Sequence, residues 1–200
     1  MIVLFDLDGV IMDTETQYSI FWNRTGKEVL GLENFGTTIK GQTLTHIIKY
    51  FDGSPKSKDE IIAELYEYER NMSYDYIPGA DEFMKSLKDK GIPMAIVTSS
   101  NDAKMENVRR VRPELWELTD AVLTSEHFSK SKPDPECFLK GMEVLGGRPE
   151  DTYVFEDSIH GINAGRSAGA KVIGLATTNT REVIAQLCDQ VIDDFIGFEL

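Results

Sequence analysis

Short runs of consecutive apolar residues recur along the chain and alternate with segments whose apolar positions have helical spacing. A continuous apolar run of three to five residues is typical of a strand that is buried on both faces of a parallel sheet. Such strands are predicted at residues 2–5, 94–97, 121–123, 153–155 and 172–175, with a weaker one at 190–192. Short strands that alternate with helices predict a doubly wound α/β domain.

The helical segments carry recognisable start and stop signals. Asp134 and Pro135 have the residue types of an N-cap and a first helical position, and Gly146 has that of a helix stop. A last helix is predicted around residues 183–187. Ser100 and Asn101 follow the second predicted strand, and they fit a helix cap and a functional role equally well.

The segment between the first two predicted strands breaks the alternation. Residues 6–93 separate these two strands and have helical patterns only, with two capping-box patterns, Thr14 to Gln17 and Ser57 to Glu60. The pattern predicts an all-helical insertion over about residues 14–77. Residues 1–13 and 78–200 would then form the α/β core.

Composition narrows the function classes. The chain has 21 basic and 34 acidic residues and a net charge of −13, which argues against binding to nucleic-acid phosphates. Cys137 and Cys188 have no CxxC spacing, so a disulfide scaffold or a thiolate zinc site is not expected. The sequence has no signal-peptide pattern at its start and no apolar stretch of roughly 18 residues, so we expect a cytoplasmic protein without a membrane partner.

Polar residues follow the predicted strands where a functional site would be expected. In open α/β sheets, ligands bind beyond the carboxyl ends of the strands. The polar residues at or after these ends are Asp6, Asp8, Thr98, Ser99, Lys132, Glu156 and Asp157. We expect them to meet at one edge of the sheet.

These residues carry a family resemblance. Residues 5–15, with Asp6 and Asp8, resemble the first motif of the haloacid dehalogenase-like superfamily. Thr98 resembles the second motif, Lys132 the third, and the pair at 156–157 the fourth, over essentially the whole chain. The helical insertion is similar to the cap of the β-phosphoglucomutase and phosphoglycolate phosphatase branch. The resemblance implies a Rossmann-like core with an inserted cap.

The resemblance also implies a role for each matched residue. The residue matching Asp6 is a nucleophile that forms an aspartyl-phosphate. The residue matching Asp8 is a general acid for the leaving alcohol and then a general base for water. Thr98 and the amide of Ser99 would bind the phosphoryl group, and Lys132 would bind nucleophile and phosphate together.

The repulsion between a phosphate substrate and the carboxylates of the site predicts a bound divalent cation. A phosphate dianion about 4 Å from one carboxylate costs roughly 8 kcal/mol at an effective dielectric constant of about 20. Hard oxygen ligands beside phosphate favour Mg²⁺ over zinc. The proposed ligands are Asp6, the main-chain carbonyl of Asp8, Asp157 and the neighbouring Glu156.

Three functions stay open at this stage. The first is a phosphatase for a small phosphorylated metabolite, and the second is a sugar phosphomutase of the β-phosphoglucomutase type. In such mutases we expect histidine at the position of Tyr18 and arginine at that of Leu44, so the sequence favours the phosphatase. The third is a phospho-acceptor signalling domain of the receiver type, to which the helical insertion is foreign.

The insertion should determine specificity by closing over the site and excluding bulk water. Gln42 and Thr43 are the predicted substrate-binding residues of this segment, and Tyr18 and Arg70 are further candidates to line the site. A cap of this size should admit only small molecules. We expect a monomer or a weak dimer.

Overall fold

The computed structural model describes residues 1–39 and 44–200, and its six parallel strands form one sheet. The strands are β1 (Ile2–Phe5), β2 (Met94–Val97), β3 (Ala121–Leu123), β4 (Thr152–Glu156), β5 (Lys171–Leu175) and β6 (Gln190–Ile192). Their order in the sheet is β3-β2-β1-β4-β5-β6. Every predicted strand is present, and the doubly wound α/β fold is confirmed.

The chain divides into two compact units, Thr14–Ser73 and the combination of Met1–Asp13 with Tyr74–Leu200. The first of these is helical in its described residues, with its own core around Phe21, Trp22 and Leu65. Its elements are α1 (Glu15–Thr25), a π-helix (Gly26–Leu30), α2 (Phe35–Thr38), α3 (Leu44–Ile47), a 3₁₀ helix (Ile48–Phe51) and α4 (Lys58–Arg70). The role of this unit as a cap stays a prediction.

Residues 74–77 belong to the α/β unit, whereas the sequence pattern placed them in the insertion. Backbone bonds explain the difference. The amide of Ile77 donates to the carbonyl of Ile11 at 2.9 Å, and Tyr76 forms an isolated antiparallel bridge with Met12. The segment is therefore attached to the loop that follows β1.

The remaining helices all lie in the α/β unit. They are α5 (Ala80–Asp89), α6 (Asp102–Val111), α7 (Glu114–Leu118), α8 (Glu136–Leu145), α9 (Ile159–Ser167) and α10 (Arg181–Ile184), with 3₁₀ turns at Ser125–His127 and Pro149–Asp151. No helix in the described part of the chain combines the length and the apolar character needed to cross a membrane.

Strand β1 shows why the central strands are apolar throughout. All four of its residues are buried, and successive side chains point to opposite faces of the sheet. Leu4 packs in a core with Phe138 of α8 and Ile162 of α9. On the other face, the ring of Phe5 stacks on that of Phe155 with centroids 4.9 Å apart. Both faces of the strand are therefore covered by the protein.

The helix caps agree only in part with the sequence patterns. Ser57 forms the predicted capping box with Glu60. Thr14 does not cap α1 with its side chain, because its backbone is already helical (φ −94°, ψ −24°) and so lacks the extended conformation of a capping residue. Pro135 is the N-cap of α8 instead of its first residue, and Asp134 accepts a bond from the amide of Glu136 at 3.1 Å. The last helix ends at residue 184, short of the predicted 187.

Candidate active site

Strands β1 and β4 are neighbours at the centre of the sheet, and acidic residues follow their apolar runs. The strand order changes direction between them, which is where ligands bind in doubly wound folds. The register pairs Phe5 with Phe155, and the amide of Asp6 donates to the carbonyl of Phe155 at 3.0 Å. This pairing places Asp6 beside Glu156 at the carboxyl edge.

Lys132 reaches this edge from the loop between β3 and α8. Its ammonium donates to Asp6 Oδ1 at 2.6 Å, to Glu156 Oε1 at 2.7 Å and to the carbonyl of Val97 at 3.2 Å. The side chains of Lys132, Asp6 and Glu156 are 6%, 11% and 1% exposed. One buried cation therefore bridges two buried carboxylates, as the predicted contact between Lys132 and Asp6 requires.

Burial and the neighbouring charges together shift the pKa of Asp6 and that of Lys132. Burial raises the pKa of Asp6 to about 7; Lys132 opposes that shift, and the carboxylates of Glu156 and Asp8 add to it. Burial lowers the pKa of Lys132, but Asp6 and Glu156 outweigh it, so that the pKa lies above its ordinary value. Both pKa values are therefore raised, that of Asp6 chiefly by burial and that of Lys132 by the two carboxylates that it bridges.

Both oxygens of the Glu156 carboxylate accept hydrogen bonds from the protein itself. Its Oε1 is held by Lys132, and its Oε2 accepts bonds from the amides of Asp157 (3.0 Å) and Ser158 (2.9 Å) and from the Ser158 hydroxyl (2.9 Å). A Cβ on Gly161 of α9 would lie 1.7 Å from Oε1, so glycine is required there. These contacts argue against the predicted metal-ligand role of Glu156 and favour the positioning of Lys132.

Asp157 lies against the loop that follows β1. A Cβ on Gly9, whose φ is +76°, would be 2.1 Å from Asp157 Oδ2. The loop after β5 holds both segments, because Thr177 Oγ1 donates to the carbonyl of Gly9 at 2.5 Å and Asn179 Nδ2 donates to the carbonyl of Asp157 at 2.9 Å. Asp157 is buried, at 3% exposure. The first and fourth motifs are therefore in contact.

The residues after β2 have distinct positions. Thr98 is buried, and its hydroxyl accepts the amide of Ser100 at 3.0 Å, whereas Ser99 is exposed. Asn101 caps α6, with its side chain accepting the amide of Lys104 at 2.9 Å. Ser100 instead donates to Asp8 Oδ2 at 2.9 Å. Of the two residues that fitted either role, one is a helix cap and the other lies at the site.

Lys104 is a site residue that the sequence analysis missed. Its ammonium donates to Asp8 Oδ1 at 2.6 Å, and its side chain is 7% exposed. Lysine on a helix is ordinarily exposed. The sequence signal for a buried Lys104 was its helical spacing. Lys104 precedes Met105 and lies one turn before Val108, and both of these residues are on the buried side of α6.

The predicted substrate-binding residues of the helical unit are described within that unit alone. Gln42 and Thr43 lie outside the described residues. Tyr18 donates to Glu69 Oε1 at 2.7 Å, and Arg70 is exposed and pairs with Glu67 one turn earlier on α4. Their role in substrate binding stays a prediction.

The donor set at the edge fits a hard divalent cation. The described residues contain no cluster of three or more His, Cys, Asp or Glu side chains arranged as ligands. The charged groups of the edge are the carboxylates of Asp6, Asp8, Glu156 and Asp157 and the ammonium groups of Lys104 and Lys132. Whether Asp8 is ionised or protonated, the ionised carboxylates outnumber the ammonium groups, and this excess of negative charge favours a cation. A site with a small number of carboxylates and only oxygen donors suits Mg²⁺, because this ion keeps several of its water ligands.

The chain belongs to the haloacid dehalogenase-like hydrolase family. The model of that family matches residues 3–175, which include all four motifs. Both the fold and the meeting of the motifs at the edge between β1 and β4 agree with this membership.

Known proteins similar to the chain include phosphatases and a mutase. Hexitol phosphatase A of Escherichia coli (strain K12) is 31% identical over 86% of this chain and 81% of its own length. A crystal structure of a HAD hydrolase, family IA, variant 3, from Entamoeba histolytica matches with a TM-score of 0.85 and 26% identity over 100% of this chain and 95% of that chain. A β-phosphoglucomutase from Clostridium difficile shares the fold with a TM-score of 0.78 and 22% identity, over 100% and 94% of the two chains. The chain spans 54% of the length of a further relative, the bifunctional riboflavin kinase/FMN phosphatase of Arabidopsis thaliana.

Proposed function

We propose that this protein is a Mg²⁺-dependent phosphatase that hydrolyses a small phosphorylated metabolite through an aspartyl-phosphate on Asp6. The observation that carries the proposal is the buried bridge from Lys132 to Asp6 and Glu156 at the switch point of the sheet. A cation buried against the proposed nucleophile is suited to an anionic substrate. The named phosphatase among the relatives supports the reaction class.

In the first step, a carboxylate oxygen of Asp6 attacks phosphorus. A bond forms between Asp6 and phosphorus as the bond from phosphorus to the leaving oxygen breaks, and Asp8 gives its proton to that oxygen. Lys132 holds Asp6 in place and offsets the negative charge of nucleophile and phosphate. The Thr98 hydroxyl and the Ser99 amide are the proposed donors to the phosphoryl oxygens.

In the second step, Asp8 takes a proton from a water molecule, whose oxygen attacks the phosphorus of the aspartyl-phosphate. The bond between phosphorus and Asp6 breaks, which releases phosphate and restores the carboxylate of Asp6. Asp8 ends the cycle protonated, ready for the next leaving group. The same carboxyl group therefore serves both half-reactions.

The proposed metal ligands are Asp6, Asp157 and the main-chain carbonyl of Asp8. When bound, Mg²⁺ supplies positive charge that offsets the repulsion between the nucleophile and the phosphate dianion. Asp157 is suited to this role because Asn179 donates to its carbonyl and Thr177 donates to that of Gly9, so that the loop after β5 holds both segments.

The carboxylate at Asp8 also separates reaction types. Dehalogenases and phosphonate hydrolases of the superfamily lack a carboxylate at this position, which disfavours both. In a receiver domain the phospho-acceptor aspartate ends the third strand, whereas Thr124 follows β3 here. A cytoplasmic location, a monomeric or weakly dimeric state and the absence of nucleic-acid and membrane partners stay predictions.

A sugar phosphomutase remains the second prediction, and the fold does not decide between the two. The likeness to a mutase structure at 22% identity concerns the fold alone. Tyr18 and Leu44 at the positions where such mutases should carry histidine and arginine still favour the phosphatase.

Phosphate release from a panel of sugar phosphates, phosphoglycolate, nucleotides and pyrophosphate tests the proposal. Each compound is assayed with Mg²⁺ and with EDTA, and the Asp6→Asn protein is the blank. We expect Mg²⁺-dependent release from one or two compounds and none from the blank. If no compound releases phosphate, but β-glucose 1-phosphate is isomerised in the presence of a bisphosphate primer, the protein is a mutase.

A further inference from the structure

Lys104 is a buried cation to which the mechanism above gives no role. The described bonds of Asp8 use both of its carboxylate oxygens, with Lys104 on Oδ1 at 2.6 Å and Ser100 on Oδ2 at 2.9 Å. The two donors come from different elements, since Ser100 lies in the loop after β2 and Lys104 in the first turn of α6. Two donors on two elements restrict the rotation of a carboxylate far more than one donor does.

The position of Lys104 is itself fixed by the fold. Its amide is bound by the side chain of Asn101, the N-cap of α6, and the amide of Ser100 is bound by the Thr98 hydroxyl at the end of β2. The first turn of α6 is therefore anchored to the strand end from which Thr98 reaches the site. Ser100, Asp8 and Lys104 are thus joined by hydrogen bonds, and both donors are themselves held by bonds to the segment from Thr98 to Asn101.

We propose that Lys104 is a positioning residue that, together with Ser100, aims the carboxyl group of Asp8 at the leaving oxygen of the phosphate ester. The inference rests on the proposed phosphatase function and deepens it. Lys104 itself transfers no proton and acts through its bond to Asp8. It makes the proton of Asp8 available at one place when the bond from phosphorus to the leaving oxygen breaks.

The consequence is a dependence on the leaving group. p-Nitrophenol leaves as a stable anion and needs little protonation, whereas phenol needs the proton as it departs. The two phenyl esters have the same ring and differ by one nitro group, so that they form a matched pair. A misoriented Asp8 carboxyl group should therefore slow the hydrolysis of phenyl phosphate more than that of p-nitrophenyl phosphate.

The experiment compares the wild-type protein with Lys104→Met and Ser100→Ala on phenyl phosphate and p-nitrophenyl phosphate in Mg²⁺. The ratio kcat/KM reports the steps up to the first irreversible one, which here is transfer to Asp6. For Lys104→Met we expect kcat/KM to fall about 10- to 100-fold on phenyl phosphate and less than about threefold on p-nitrophenyl phosphate. Ser100→Ala should show the same preference with a smaller loss.

The matched control is Lys85→Met, which removes a lysine of α5 that pairs with Asp81 at 2.8 Å on the protein surface. It should leave kcat/KM unchanged on both esters. A loss of equal size on the two esters in Lys104→Met, or no loss at all, would overturn the inference. If Lys104→Met does not fold, Ser100→Ala decides by the same criterion.

Different results would refute the proposed function and the role of Lys104. A wild-type protein that releases no phosphate from either ester or from any compound of the panel contradicts the proposed function. A wild-type protein that is active, with variants that show no leaving-group preference, contradicts only the role of Lys104.

Discussion

Two kinds of lysine–carboxylate pair in this molecule have nearly the same length and opposite surroundings. Lys132 and Asp6 are 2.6 Å apart and almost completely buried, whereas Lys85 and Asp81 are 2.8 Å apart with side chains 55% and 32% exposed. An exposed pair gains little, because water already solvates both charges. In a buried pair each charge depends on the other, because the loss of one partner leaves the other charge buried without water to solvate it. The sheet edge therefore contains charges that each require a partner.

The largest expected effect comes from removing the buried cation. Lys132→Met leaves Asp6 and Glu156 side by side without their ammonium, which should lower the free energy of unfolding by about 3–5 kcal/mol. Phosphate release should be abolished as well. Urea denaturation gives the first quantity. A variant as stable as the wild type would break the comparison between buried and exposed pairs.

The second effect concerns the metal site. Asp157→Ala removes a proposed ligand and should raise the Mg²⁺ concentration for half-maximal activity about 100-fold or more. Asp193→Ala is the control, because that residue is exposed and pairs with Arg181 on the surface. An unchanged Mg²⁺ requirement in Asp157→Ala would remove this residue from the ligand set.

The third prediction separates Glu156 from its neighbour. Glu156→Gln keeps the shape of the side chain but turns one acceptor of the Lys132 and amide bonds into a donor, which should lower the free energy of unfolding by about 1–3 kcal/mol. Because Glu156 is not a proposed ligand, Mg²⁺ binding measured by calorimetry should change much less than in Asp157→Ala. Equal losses of Mg²⁺ affinity in the two variants would restore Glu156 as a ligand.

The smallest effect is expected at the surface. Lys85→Met removes the exposed pair with Asp81, and the free energy of unfolding should stay that of the wild type within the error of the measurement. The same urea experiment measures it. A loss that approaches that of Lys132→Met would mean that burial is not what distinguishes the two pairs.

The strands could be predicted from the sequence because each is short, apolar and flanked by polar residues. Burial on both faces leaves no polar position in β1 or β2, so the run itself marks the strand. The carboxyl edge followed from the same pattern, because parallel strands end on one side. Asp6, Thr98 and Lys132 could be placed there from the sequence.

The hydrogen bonds of the structure show contacts that could not be predicted from the sequence. Lys104 has the residue type of an exposed helix position, and only its bond to Asp8 reveals its place. Glu156 belongs to an acidic pair that resembles two ligands, yet backbone amides occupy one of its oxygens. Thr14 has the sequence of a capping box but not its backbone angles. In each case the contact depends on conformation, which residue type alone does not specify.

The covalent intermediate on Asp6 can be observed directly. The Asp8→Asn protein lacks the base of the second step, and p-nitrophenyl phosphate needs little acid in the first, so the phosphoryl group should remain on the enzyme. The protein is mixed with this ester and Mg²⁺, quenched in acid and digested for peptide mass spectrometry. We predict one phosphoryl group on the peptide that contains Asp6. A burst of p-nitrophenol without a phosphorylated peptide, or a phosphoryl group on another residue, would contradict Asp6 as the nucleophile.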